Sequence, residues 1–129
     1  MRNAAKESEK IISSFEVKTP STNTLATALS GGNQQKFVVG RELEDNPSLL
    51  IASQPTRGID IGAQSLIWEK LRHSRDEGLS VLLISADLEE LIGLSDRIIV
   101  FYQGKLVKEL DADNVSPEDL GGYMTGLKK

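Results

Sequence analysis

The chain contains no cysteine and one histidine, His73, in 129 residues. Disulfides and thiolate metal sites are therefore excluded, and a single imidazole cannot assemble a zinc constellation. No apolar run approaches the ~20 residues that a membrane-spanning helix needs. The polar opening Met1-Arg2-Asn3-Ala4-Ala5-Lys6 lacks the apolar core of a secretory signal, so a cytosolic location is expected. No basic stripe is present, and the formal net charge of −4 argues against nucleic acid as the main partner. A phosphate-gripping loop of the form Gly-x-x-x-x-Gly-Lys-Ser/Thr does not occur anywhere. Internal repeats and low-complexity tracts are also absent. What remains is ordinary for a globular domain: 39% hydrophobic and 26% charged residues, enough for one domain with a real core.

The periodicity reads as α/β. Ala4, Ser8, Ile11, Ile12 and Phe15 recur at helical spacing and predict a helix from Asn3 to Phe15. Polar residues 18–24, with Pro20, form a loop. A second helix is predicted from Gly32 to about Leu43, ended by Glu44-Asp45-Asn46-Pro47. The short apolar run Leu49-Leu50-Ile51-Ala52 predicts a strand buried on both faces of a parallel sheet. A helix from about Gly62 to Glu77, closed by Gly78, leads to a second buried strand, Val81-Leu82-Leu83-Ile84. Strand, helix and strand make a right-handed βαβ unit. Asp87 caps a short helix through Leu91, and Arg97 to Tyr102 form a third strand. Gln103-Gly104 then turns the chain into the alternating strand Lys105 to Leu110. Ser116-Pro117-Glu118-Asp119 opens a last helix with a cap, a proline at its first position and two acids in its first turn.

The most informative stretch is Leu29-Ser30-Gly31-Gly32-Asn33-Gln34-Gln35-Lys36. Ser30 is a good helix cap, its hydroxyl can bond a first-turn N–H, and two glycines let an anion approach the backbone at the positive end of the helix dipole. Read by itself, Ser-Gly-Gly before a helix also fits a cap that binds nothing. Asp60 reads as a cap for the helix beginning near Gly62. His73, beside Arg72 and Arg75, reads as a surface histidine, Arg57 as a surface charge or a site residue, and Trp68 and Phe101 as core.

The full octet resembles the signature motif of ATP-binding-cassette (ABC) ATPases, in the form carried by the second nucleotide-binding half of bacterial importers for simple sugars and nucleosides. Leu49 to Asp60 stands where that family has its Walker B strand, which normally reads Asp-Glu-Pro-Thr. Here Ser53 takes the place of the Mg²⁺-organising Asp and Gln54 that of the water-polarising Glu. Ala86, in Leu83-Ile84-Ser85-Ala86-Asp87-Leu88, takes the place of the switch histidine. Neither Ser nor Gln carries negative charge at neutral pH, so neither can hold metal-bound water or activate a nucleophile as a carboxylate does.

The resemblance implies a partial P-loop NTPase core of parallel strands flanked by helices. Residues 1–45 would end the helical subdomain and 46–129 would form the Walker B half, with a small C-terminal hairpin and helix. Leu29, Ser30, Gly31, Gly32, Asn33, Gln34, Gln35 and Asp60 would contact ATP held by another nucleotide-binding domain, with Asp60 as the D-loop residue crossing the dimer interface. In such proteins the partners are the first nucleotide-binding half and transmembrane permease subunits. The cofactors are ATP and Mg²⁺, and the location is the inner face of the membrane. The residues themselves supply no catalytic group and no metal ligand set, so the chain alone is expected to be inactive. Two other readings stay open: a free-standing phosphate- or nucleotide-binding module, and part of a DNA-repair or chromosome-structure ATPase. In the ABC core the Walker A strand lies between strands 81–84 and 97–102. The sheet is therefore expected to have a gap there, and the chain to self-associate through the open edges.

Overall fold

The computed structural model describes residues 3–129. Met1 and Arg2, which begin the polar opening, lie outside the described residues. Helix α1 (Ala4–Ser14) starts at Asn3, whose side chain accepts a hydrogen bond from the Ala5 N–H. Its buried Ile11, with Phe15 and Val17 just beyond it, packs towards α2 (Gly31–Glu44). Gly40 makes that approach possible: a Cβ there would lie 2.5 Å from Ile11 Cγ2 and 3.0 Å from the Phe15 ring. A short 3-10 turn, Ala26–Ala28, precedes α2 and has no counterpart in the sequence reading.

Strand β1 (Leu49–Ser53), helix α3 (Ile61–Asp76) and strand β2 (Ser80–Ile84) follow. The Ser80 N–H donates to the Ser48 carbonyl at 3.2 Å, so the starts of β1 and β2 lie side by side, and the two strands pair as the βαβ reading predicts. Helix α3 buries Ala63, Ile67 and Leu71. It closes through Gly78, at φ +105°, with the Gly78 N–H donating to the Arg75 carbonyl and the Leu79 N–H to the Ser74 carbonyl.

Two compact units are present, the first running to Leu82 and the second from Leu83 to Lys129. In the second, helix α4 (Leu88–Leu94), strands β3 (Arg97–Tyr102) and β4 (Lys105–Asp111) and helix α5 (Pro117–Met124) enclose Leu91, Ile98, Val100, Ala112 and Leu120. Asp87 caps α4, and Ser116 caps α5 with Pro117 in its first turn. β3 and β4 are antiparallel, joined by Gln103 and Gly104, both in the left-handed region at φ 49° and 74°, with a bulge beside Val100 and Phe101. A 3-10 turn, Ala112–Asn114, links the hairpin to α5.

Among the described residues the strands form two separate sheets, β1–β2 and β3–β4, with no strand joining β2 to β3. The lack of a joining strand is as expected. The expectation that β1 and β2 are buried on both faces is wrong: Leu49, Ile51, Leu82 and Ile84 are exposed, Ile51 by 61%. Phe101, expected in the core, is 67% exposed. The apolar sequence is that of strands covered on both sides, while this chain supplies a packing layer for only one.

Candidate functional site

The N-terminal turn of α2 has the geometry of an anion cradle. Ser30 has extended backbone angles, φ −62° and ψ 158°, and its Oγ accepts from the Asn33 backbone N–H at 3.3 Å and from Asn33 Nδ2 at 3.0 Å. Both acceptances use oxygen lone pairs, so the hydroxyl proton is left to donate. The Gly31 and Gly32 N–H groups belong to the first helical turn and have no acceptor within the helix. Gly31 faces open space, since a Cβ there would meet nothing within 4 Å. Gly32 is buried, and its Cβ would lie 2.9 Å from Asp60 Oδ2 and 3.0 Å from Ala63 Cβ. One glycine is open to a ligand; the other is required by packing.

The side-chain amides that follow are engaged with the protein. Asn33 Oδ1 accepts from the Lys18 N–H at 3.0 Å. Gln34 Nε2 donates to the Ala26 carbonyl at 2.9 Å and to the Leu29 carbonyl at 3.2 Å. Gln35 Nε2 donates to the Pro55 carbonyl at 2.7 Å. A side chain bonding a carbonyl twenty positions away leaves no local pattern, so sequence reasoning had no signal for this last contact.

Asp60 is the N-cap of α3, its Oδ1 accepting from the Ala63 N–H at 2.9 Å. That hydrogen bond is the main reason its carboxyl is held below the usual carboxylate range; its own N–H, that of Gly62 and the charge of Lys36 act the same way, against a desolvation cost. The cap reading of Asp60 therefore holds, and its carboxylate lies against Gly32 of the same chain.

Ser53 ends β1 and is exposed, and Gln54 follows in the left-handed region at φ 49°, leading to the buried Pro55 and Thr56. The Arg57 N–H donates to the Gln54 carbonyl at 3.2 Å, and Arg57 is exposed. No group of three or more His, Cys, Asp or Glu side chains among the described residues could hold a metal ion. Ser53 and Gln54 are both uncharged, so neither supplies the carboxylate by which a protein usually holds Mg²⁺. Ala86 lies in the second unit between β2 and α4, where it is exposed beside Asp87. His73 is exposed on α3, as expected. The first unit brings Ser30, Gly32, Gln35 and Asp60 together.

No family model matches the chain. Solved structures do resemble it. The dimeric post-hydrolysis state of the ATP-binding cassette MJ0796 bound to ADP and Pi superposes with a TM-score of 0.72 at 25% identity, covering 83% of this chain and 46% of that one. The cassette MJ1267 in its ADP conformation matches with a TM-score of 0.71 over 97% of this chain and 47% of its own; at 20% identity it shows the fold alone. By sequence, the chain is 46% identical over 121 residues to the guanosine import ATP-binding protein NupO of Bacillus subtilis, which covers 94% of this chain. The chain has the sequence and fold of part of an ATP-binding-cassette ATPase domain.

Other relatives of this cassette segment are the glucose import ATP-binding protein TsgD13 of Haloferax volcanii, 46% identical over 92% of the chain, and the ribose import ATP-binding protein RbsA of Hahella chejuensis, 42% identical over 92%. The segment spans 22–24% of the length of these three relatives. No helix among the described residues is long and apolar enough to cross a membrane.

Proposed function

We propose that the chain is the signature-bearing part of the second nucleotide-binding half of a sugar or nucleoside ABC importer. The observation that carries this reading is a contrast within one cassette segment. Its anion cradle at Ser30 and Gly31 is open and well formed, while Ser53, Gln54 and Ala86 carry no carboxylate or imidazole. Such a segment serves a composite site whose Walker A loop and acid lie in the first nucleotide-binding half. The import of guanosine, glucose and ribose named for the relatives supports a small sugar or nucleoside as cargo. ATP is the nucleotide, permease subunits are the membrane partners, and the assembly sits at the inner face of the membrane.

At the phosphate, the Ser30 hydroxyl proton and the first-turn N–H groups are preset donors at the positive end of a 14-residue helix. They orient and stabilise negative charge without moving, because Asn33 already fixes the Ser30 side chain. In the full transporter Mg²⁺ accompanies the nucleotide, but Ser53 and Gln54 supply the ion no carboxylate, and this chain's side chains act on the phosphate alone.

The test uses the full-length transporter in reconstituted vesicles. Ser30→Arg, which fills the cradle, is expected to abolish transport and most ATPase activity, whereas Gln54→Glu leaves both nearly unchanged. The reverse pattern would mean that the two composite sites are exchanged.

A further inference from the structure

We propose that Gln35 is a positioning residue that locks the anion-facing turn of α2 to the loop carrying Asp60. Its Nε2 to Pro55 carbonyl distance of 2.7 Å is at the short end of the N–H···O range, and the bond is partly buried. Pro55 is buried, and Gln54 before it turns the chain sharply through its left-handed backbone. At the far end of the same loop the Asp60 carboxylate lies against Gly32 while capping α3. The loop therefore meets α2 at two points, Gly32 and Gln35, which lie about one turn apart on the same face of the helix. A single contact would leave a hinge; two fix the rotation of the helix about its axis. Ser30 and Gly31, directly before the gripped residues, are thereby held in register with residues 55–60, and a displacement of the loop is carried to the cradle.

The positioning role rests on the reading of Ser30 and Gly31 as the anion site, but the lock is measured without nucleotide. Native-state hydrogen exchange on the ¹⁵N-labelled chain follows the N–H groups of Asn33 and Gln34 on α2, and of Arg57 and Ala63 on the loop side. Gln35→Met keeps the side-chain length and removes the donor. It is expected to speed exchange at all four amides together, roughly fivefold, the factor set by one lost hydrogen bond. Gln35→Lys, which keeps a donor of similar reach, is expected to return them towards the wild-type rates. A purely volumetric role for Gln35 predicts no effect from Met. Faster exchange confined to Asn33 and Gln34, or no rescue by Lys, overturns the lock. Should Gln35→Met fail to fold, the wild-type Gln35 side-chain NH₂ decides: protection supports the lock, and exchange at the rate of a free glutamine overturns it. A parallel titration with inorganic phosphate separates the two readings. No shift at the Gly31 amide counts against the anion site, whatever the exchange rates show.

Discussion

A methyl group added at Gly31 meets open space, whereas one at Gly32 runs into the Asp60 carboxylate and the Ala63 methyl group. Gly32→Ala is therefore expected to cost about 1–3 kcal/mol, the usual range for overpacking. Gly31→Ala should stay within about 1 kcal/mol of wild type, since Ala is the better helix former. Urea unfolding of both variants, followed by circular dichroism, checks the contrast. Asp60 supplies a pH dependence. Its folded-state pKa lies below the unfolded one, so its contribution is fully present above the unfolded value and is lost as pH falls through the folded one. Asp60→Asn keeps the cap but not the charge. The urea midpoints of wild type and variant should converge on acidification below the ordinary carboxylate range, and a constant gap would contradict the assignment. At this scale the caps at Ser30, Asp60, Asp87 and Ser116 were legible, because a cap is fixed by one residue and its next three neighbours. The partners of Gln34 and Gln35 were not legible, because they depend on where the chain returns.

Helices and strands were legible to within a residue or two wherever a cap, a glycine or a proline marks the end. α1 runs between Asn3 and Phe15, and α3 closes at Gly78, because these are local events. Burial was not legible in the same way. The runs at β1 and β2 are apolar on both faces, yet one face of each is bare, with Leu49, Ile51, Leu82 and Ile84 exposed. This asymmetry separates two classes of substitution. Ile67→Ala, at a side chain with 0% exposure, is expected to cost about 2–5 kcal/mol. Leu82→Ser and Phe101→Ser, on bare faces, should change the urea midpoint little and instead weaken self-association, which the unpaired edges and exposed apolar side chains of β2 and β3 favour. Sedimentation velocity over a concentration series reads this directly. A wild-type monomer at the highest concentration would remove the basis for it.

For the whole molecule, the sequence carries the chain order of strand, helix, strand, short helix and hairpin, whereas the lack of a strand joining β2 to β3 was legible only through the resemblance to the ABC core. The Gln103-Gly104 turn has a further consequence for how the chain folds. It lets β3 and β4 pair across two residues, whereas β1 and β2 are separated in sequence by the whole of α3. Hairpins close in about 1–10 μs, and pairings of greater sequence separation are slower because loop-closure entropy must be met first. The second unit thus has the lower contact order and the earlier nucleus. Pulse-labelled hydrogen exchange during refolding should protect Val100 before Leu50, and simultaneous protection would show that the two pairings form in one cooperative step. A nascent chain leaving the ribosome meets the opposite schedule: β1 and β2 emerge before the hairpin that forms fastest.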